Sequence, residues 1–273
     1  MQPPSISLTE HERLYQALRK LPEEILNAPG RFLYSELSTL DNEGDFYLLG
    51  YNPGGDPDKY PDQYPDSLLE DIHKWGLSAP KHYNAYLDEK WPPWSDIQPG
   101  GSHFQRNVQR LCKAIDVCPR QVCASNLFFF RSKDSTSHDK WRDKLIDTWL
   151  NDLAEKERTA FKAKELKDEY ENVHWRVHEE ILEIVKPKCV IAIGSTTYGI
   201  IKRLLLFKEN KKTLSNVKNK GKNCYCYAAE GKYSYSDVEG LREMKLIGLP
   251  HFSFNYPELG APVWGWIKEQ CSS

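Results

Sequence analysis

The chain has 273 residues, with 37 Lys and Arg against 39 Asp and Glu, a formal charge of −2, 40% hydrophobic and 12% aromatic residues. That length can bury the core of one large domain or two small ones. The near-neutral balance excludes a uniformly basic, histone-like binder but leaves room for a local basic face. No apolar run approaches the roughly 20 residues of a membrane-spanning helix.

The opening segment MQPPSISLTEHER lacks the charged-then-apolar pattern of a secretory signal. The seven cysteines (112, 118, 123, 189, 224, 226 and 271) form no paired CxxC sets and no four-ligand metal spacing. An odd count without a signal predicts a reducing compartment, cytoplasmic or, in a eukaryote, nuclear. Cofactors are expected to be none, and the protein is expected to act as a monomer.

Residues 8–27 carry apolar positions at helical spacing with Thr9 as cap, and Pro22 is expected to kink or split that helix. Phe46-Tyr47-Leu48-Leu49-Gly50 reads as a buried strand that stops abruptly at Asn52-Pro53-Gly54-Gly55. Residues 56–101 are long, irregular and rich in Pro, Tyr and Trp, the mark of a functional loop or of a surface excursion packed by its own rings. Ser102 can cap a helix at 103–116 with Phe104, Val108, Leu111, Cys112 and Ile115 on one stripe. A second strand, 122–126, runs into Leu127-Phe128-Phe129-Phe130.

Residues 133–173 hold nine Lys or Arg and eleven Asp or Glu, read as a charged helical insertion with a solvated face. A helix at 174–186 precedes a third strand, 189–193, which ends at Gly194-Ser195. Within 202–222 eight Lys or Arg stand against one acid, Glu209. That stretch belongs to a basic insertion, about 205–235, and is either a phosphate-binding surface or a solvated excursion. A fourth strand, 244–249, leads into Pro250-His251-Phe252, and a last helix covers about 262–270. Strands separated by helices predict a single α/β domain, a three-layer α/β/α sandwich around a mostly parallel four-stranded sheet.

Parallel strands put their C-terminal ends on one edge, where ligands bind in open α/β sheets. Three of the four strands end in Asn52, Asn126 and His251. On these residues the chain resembles the uracil-DNA glycosylase superfamily. GYNPGG at 50–55 is similar to its first motif, SNLFFF at 125–130 to the strand whose asparagine reads the base, and PHFSFN at 250–255 to its second motif. The asparagine-bearing first motif is closest to the mismatch-specific and single-strand-selective branch. Phe252 stands where the family usually has proline, and the cysteine pattern differs from its iron–sulfur branches.

The resemblance implies a monofunctional DNA glycosylase that flips a pyrimidine nucleotide out of DNA and hydrolyses its N-glycosidic bond. Asn52 would orient the attacking water, and His251 would donate a hydrogen bond to the base oxygen that gathers charge. Asn126, with Gly50 and Tyr51, would bind the base. Tyr64 is the first candidate for the stacking ring, with Trp75 and Trp94 as rivals. Gly54, Ser102 and Ser253 would contact phosphates, Phe254 or its neighbours would wedge into the stack, and Asn255, Lys218 and Lys220 would complete the DNA surface. Two alternatives keep the same pocket: excision of hypermodified cytosine from phage DNA, and a non-catalytic nucleic-acid-binding module. A nucleoside hydrolase is a third.

Two rival motifs remain. His174 and His178 lie four apart, as in zinc proteases, but Trp175 replaces the glutamate that chemistry needs. Gly194-Ser195-Thr196 can cradle a phosphate at a helix N-terminus but lacks a P-loop lysine.

Overall fold

Four short apolar runs form the parallel strands: β1 (Phe46–Gly50), β2 (Cys123–Asn126), β3 (Cys189–Ile193) and β6 (Leu241–Leu249). The computed structural model describes residues 9–40, 43–56, 59, 66–78, 83–91, 98–152, 163–207, 214–219, 222–236, 240–252 and 261–272. The helices are α1 (Glu10–Arg19), α2 (Glu23–Leu26), α3 (Leu68–Ser78), α4 (Ala85–Asp88), α5 (His103–Ala114), α6 (Ser135–Asp152), α7 (Ala163–Val185), α8 (Ser195–Leu204) and α9 (Ala261–Ser272).

Alternation along β1 shows how the layers form. Tyr47 and Leu49 face a core shared with α1, α7 and α8, through residues such as Leu14, Ile181 and Ile201. Phe46 and Leu48 face the other core, shared with α5 and α9 through Val108, Leu111, Val263 and Ile267. Burial on both faces is what makes these strands read as continuous apolar runs. The architecture is the expected three-layer α/β/α sandwich.

The sheet is larger than expected. Its order is β2-β1-β3-β6-β5-β4, and β5 (Lys222–Ser234) and β4 (Leu214–Asn219) add an antiparallel extension to the four parallel strands. Part of the basic stretch is therefore sheet, because β4 pairs with the first residues of β5, from Asn219↔Lys222 to Leu214↔Cys226. The chain leaves β1 for β2 on one side and returns to β3 on the other, so the topological switch lies between β1 and β3. Ligand crevices form at such points.

Pro22 does split the first helical stretch: α1 ends at Arg19 and α2 starts at Glu23 with Pro22 as its N-cap. Thr9 caps α1 in a reciprocal box with Glu12. The charged stretch is less peripheral than its composition suggests. Its α7 runs unbroken from Ala163 rather than starting near 174, and Tyr170, His174, Val177 and Ile181 bury one face at spacings of three and four. Among the described residues, no helix is long and apolar enough to cross a membrane.

Candidate active site

Asn52 follows β1 directly and is half-buried. Its Nδ2 donates to Pro53 O (2.9 Å) and Ser132 Oγ (2.8 Å), with Ser132 O at 3.4 Å. Two of these partners are carbonyl oxygens, which only accept, so the nitrogen must face them and the amide cannot be flipped. Ser132 Oγ passes its own proton to Asp134 O at 3.1 Å. The amide is thus anchored through its donor, and its Oδ1 accepts no hydrogen bond among the described residues. An acceptor held in this way can orient a water.

Asn126 ends the neighbouring strand, in register with Gly50. Its side chain lies beside the Tyr34 hydroxyl and makes no other hydrogen bond among the described residues, although it is only 6% exposed. Gly50 is what admits it. A Cβ at position 50 would stand 2.0 Å from Asn126 Oδ1. Gly50→Ala is therefore expected to push the amide aside and destabilise the fold by about 1–3 kcal/mol. At Gly54 a Cβ meets nothing within 4 Å, so Gly54→Ala should leave stability within about 0.5 kcal/mol. Paired urea melts of the two variants check both statements.

His251 lies just past β6, exposed at the rim. Its ring rests on Phe104 (centroids 5.8 Å) and on Gly194, whose built Cβ would be 3.6 Å from His251 Cδ2. Gly194 has φ +104° and caps α8, so a glycine is required where β3 turns into the helix. Desolvation lowers the imidazole pKa, and the adjacent helix N-terminus also disfavours a cation. The ring is neutral near pH 7 and can donate through one nitrogen.

Between Asn126 and His251 runs a wall of rings. Tyr34 stacks on Tyr86 (5.5 Å), Tyr86 on Phe104 (6.1 Å), and Trp91 meets Tyr34, Tyr86 and Phe104 at 5.7–5.9 Å. Phe104 also meets Phe252 at 5.6 Å. Phe252, next to His251 in the chain, is thus a buried anchor. An ion pair braces the wall. Arg31 donates to Glu89 through both terminal nitrogens, one bond measuring 2.8 Å, and Tyr83 and Trp91 also donate to Glu89. Burial alone would raise the Glu89 pKa, but the Arg31 bonds and charge outweigh it and the carboxyl is lowered.

Adjacent strands lie about 4.8 Å apart. With β3 between them, the ends of β1 and β6 are separated by about 10 Å. Asn52 and Asn126 therefore sit on neighbouring strand ends, with His251 two strands from Asn52 across the switch point.

Several expected site residues sit elsewhere. The Tyr51 ring turns to the opposite core, edge-on to Phe128 (5.1 Å) and His138 (5.0 Å), because it continues the 47, 49 side of β1; its carbonyl accepts from Phe128 N at 2.9 Å. A base contact through the Tyr51 side chain is thereby excluded. Ser102 is a helix cap: its Oγ accepts from Gln105 N (3.2 Å) and its N–H donates to Gln105 Oε1 (3.0 Å), which commits the backbone N–H. Gly54 is exposed, its carbonyl accepting from Arg131 at 2.7 Å. Tyr64, Trp94, Ser253, Phe254, Asn255 and Lys220, and the side chains of Trp75 and Lys218, lie outside the described residues.

The rival histidines are core. His178 Nε2 faces Leu127 O (3.0 Å), so it carries the proton, and Tyr47 O–H donates to Nδ1 (2.7 Å). His174 Nδ1 donates to Tyr170 O at 3.0 Å. Among the described residues no three His, Cys, Asp or Glu side chains are grouped to hold a metal.

Sequence reasoning passed over Ser132, Tyr34, Arg31 and the ring wall. The signal was present in Arg31-Phe32-Leu33-Tyr34-Ser35, a mostly buried run lying along the end of β2, with Tyr34 N bonded to Ala124 O at 2.8 Å. No protein-family model matches the chain, and no curated protein does either.

Proposed function

We propose that the chain is a monofunctional DNA glycosylase that hydrolyses the N-glycosidic bond of uracil or a modified pyrimidine and leaves an abasic site. The observation that carries this reading is the Asn52 amide, tied through Nδ2 to Pro53 O and Ser132 Oγ so that its oxygen is left as the acceptor. An amide is too weak a base to deprotonate water fully. It suits a reaction in which the leaving base departs early and water is captured by an electron-poor sugar. His251 supports the reading from the leaving-group side, where a neutral N–H donor stabilises charge building on a pyrimidine oxygen without first losing a proton. Asn126 supports it from the recognition side, since one carboxamide offers a donor and an acceptor to a pyrimidine edge.

The target atom is hidden in a stacked duplex, so the nucleotide must leave the stack, at a cost of a few kcal/mol. Phe104, which touches His251, and its neighbour Trp91 would return part of that cost by stacking, at about 1–3 kcal/mol per base. The same amide geometry also accommodates cytosine-type edges, so hypermodified cytosine is retained as an alternative substrate.

The test is a panel of labelled oligonucleotides, single- and double-stranded, carrying uracil and modified cytosines, with free nucleosides alongside and alkaline cleavage as readout. An abasic site from at least one polymer substrate is the expected result. Release only from free nucleosides would overturn the DNA reading. Binding without any abasic product would leave a non-catalytic module.

A further inference from the structure

The register of β5 is divided. Residues 227–234 pair with β6, from Tyr227↔Gly248 to Ser234↔Leu241. Residues 222–226 pair with β4 instead, from Asn219↔Lys222 to Leu214↔Cys226. Because β5 runs against β6, its first residues extend past the end where β6 delivers His251. At about 3.4 Å per residue, Lys222 lies about 17 Å beyond the Gly248 level, and His251 only about 10 Å. The β4–β5 ribbon therefore overhangs the sheet on the edge that carries Asn52, Asn126 and His251.

Its composition fits that position. Lys218 and Lys222 lie at the far end of the two strands, within the 202–222 stretch of eight Lys or Arg and one acid. Tyr225, on the overhanging part of β5, is 42% exposed. It lies 6.3 Å from Tyr227, which in turn stacks on Tyr198 of α8 at 5.1 Å. An exposed ring on a basic, two-stranded ribbon matches the chemistry of nucleic-acid contact, where cations meet phosphates and aromatic faces take bases.

We propose that this ribbon is an arm that grips the phosphodiester backbone of the substrate strand beside the flipped nucleotide. The proposal rests on the glycosylase reading for its substrate, but it is tested by binding alone. Full-length protein is titrated into a labelled single-stranded oligonucleotide containing no target base, at several salt concentrations. Lys218→Gln with Lys222→Gln is expected to make the slope of log K against log salt shallower by about 1.4, at about 0.7 per phosphate contact. Tyr225→Ala is expected to weaken binding at least fivefold. Lys113→Gln with Lys188→Gln, at the opposite sheet edge, should change neither.

A slope unchanged in the ribbon variant overturns the arm even if the wild type excises bases. A shallower slope in a chain that excises nothing supports the arm and removes the glycosylase reading instead. Melting curves check that the variants fold. Ultraviolet crosslinking of the unmodified protein gives a second reading: a DNA adduct on residues 222–227 is expected, and adducts confined to other segments would overturn the proposal.

Discussion

His251→Ala is expected to lower the single-turnover rate of base release by about 10²–10³-fold, with the melting temperature nearly unchanged. The residue is exposed at the rim, where its ring packs along Phe104 and Gly194, so its loss removes little buried surface. Under the proposed function its contribution would be concentrated in the transition state, where the departing pyrimidine oxygen would gain charge. Desolvation lowers its pKa from the ordinary value near 6.5, so any titration of this group in the wild-type rate should have its midpoint below that value. Asn52→Ala should have a comparable effect for a different reason, because the water loses its fixed acceptor. Ser132→Ala tests the anchor rather than the acceptor. Losing one hydrogen bond is worth about 0.5–1.5 kcal/mol, so a fall of up to about tenfold is expected. If His251→Ala and Asn52→Ala both release base at wild-type rates, neither residue acts as argued and the site must be sought elsewhere.

The parts of this fold that could be read in the sequence were those with strong local rules. The parallel strands announced themselves because burial on both faces demands unbroken apolar runs. Ser102 and Thr9 announced helix starts because a cap has fixed chemistry. The strand-end asparagines and the histidine stood out because polar residues seldom follow such runs without a reason. What could not be read was tertiary. Tyr51 and Gly50 are neighbours, but the two-residue period of a strand sends one side chain to His138 and leaves the other position beneath Asn126. Ser102 has a backbone N–H suited to a phosphate, yet the reciprocal bond with Gln105 claims that donor. The Arg31–Glu89 pair joins residues 58 apart in the chain, a separation that no local pattern encodes. In α7 the buried tyrosine and histidines were hidden among charges that belong to the helix's other face.

Those buried imidazoles are expected to make the fold acid-labile. His138, His174 and His178 are fully buried around Phe128, Phe129 and Phe130. Desolvation pushes their pKa values down to about 2, 4 and 3, with Arg142 and the mutual proximity of the rings adding to it for His138. In the unfolded chain each titrates near 6.5. The unfolded state therefore binds more protons below pH 6.5, and stability that is complete above that value is lost as the pH falls. At pH 5.5 each neutral imidazole costs about 1.4 kcal/mol relative to pH 7.5, or about 4 kcal/mol for the three. That is a large share of the 5–15 kcal/mol typical of a whole domain. The carboxylates Asp88 and Glu89, held low by Arg120 and Arg31, act in the same direction but only below the usual carboxylate range, so the two effects separate in pH. Urea unfolding at pH 7.5 and 5.5 should show the loss, and an unchanged midpoint would refute it. His138→Phe keeps a ring stacked on Phe130, 4.4 Å away in the wild type. It should reduce the pH dependence by about 1.4 kcal/mol, one imidazole's share, even if the missing bond to Tyr170 lowers stability at every pH.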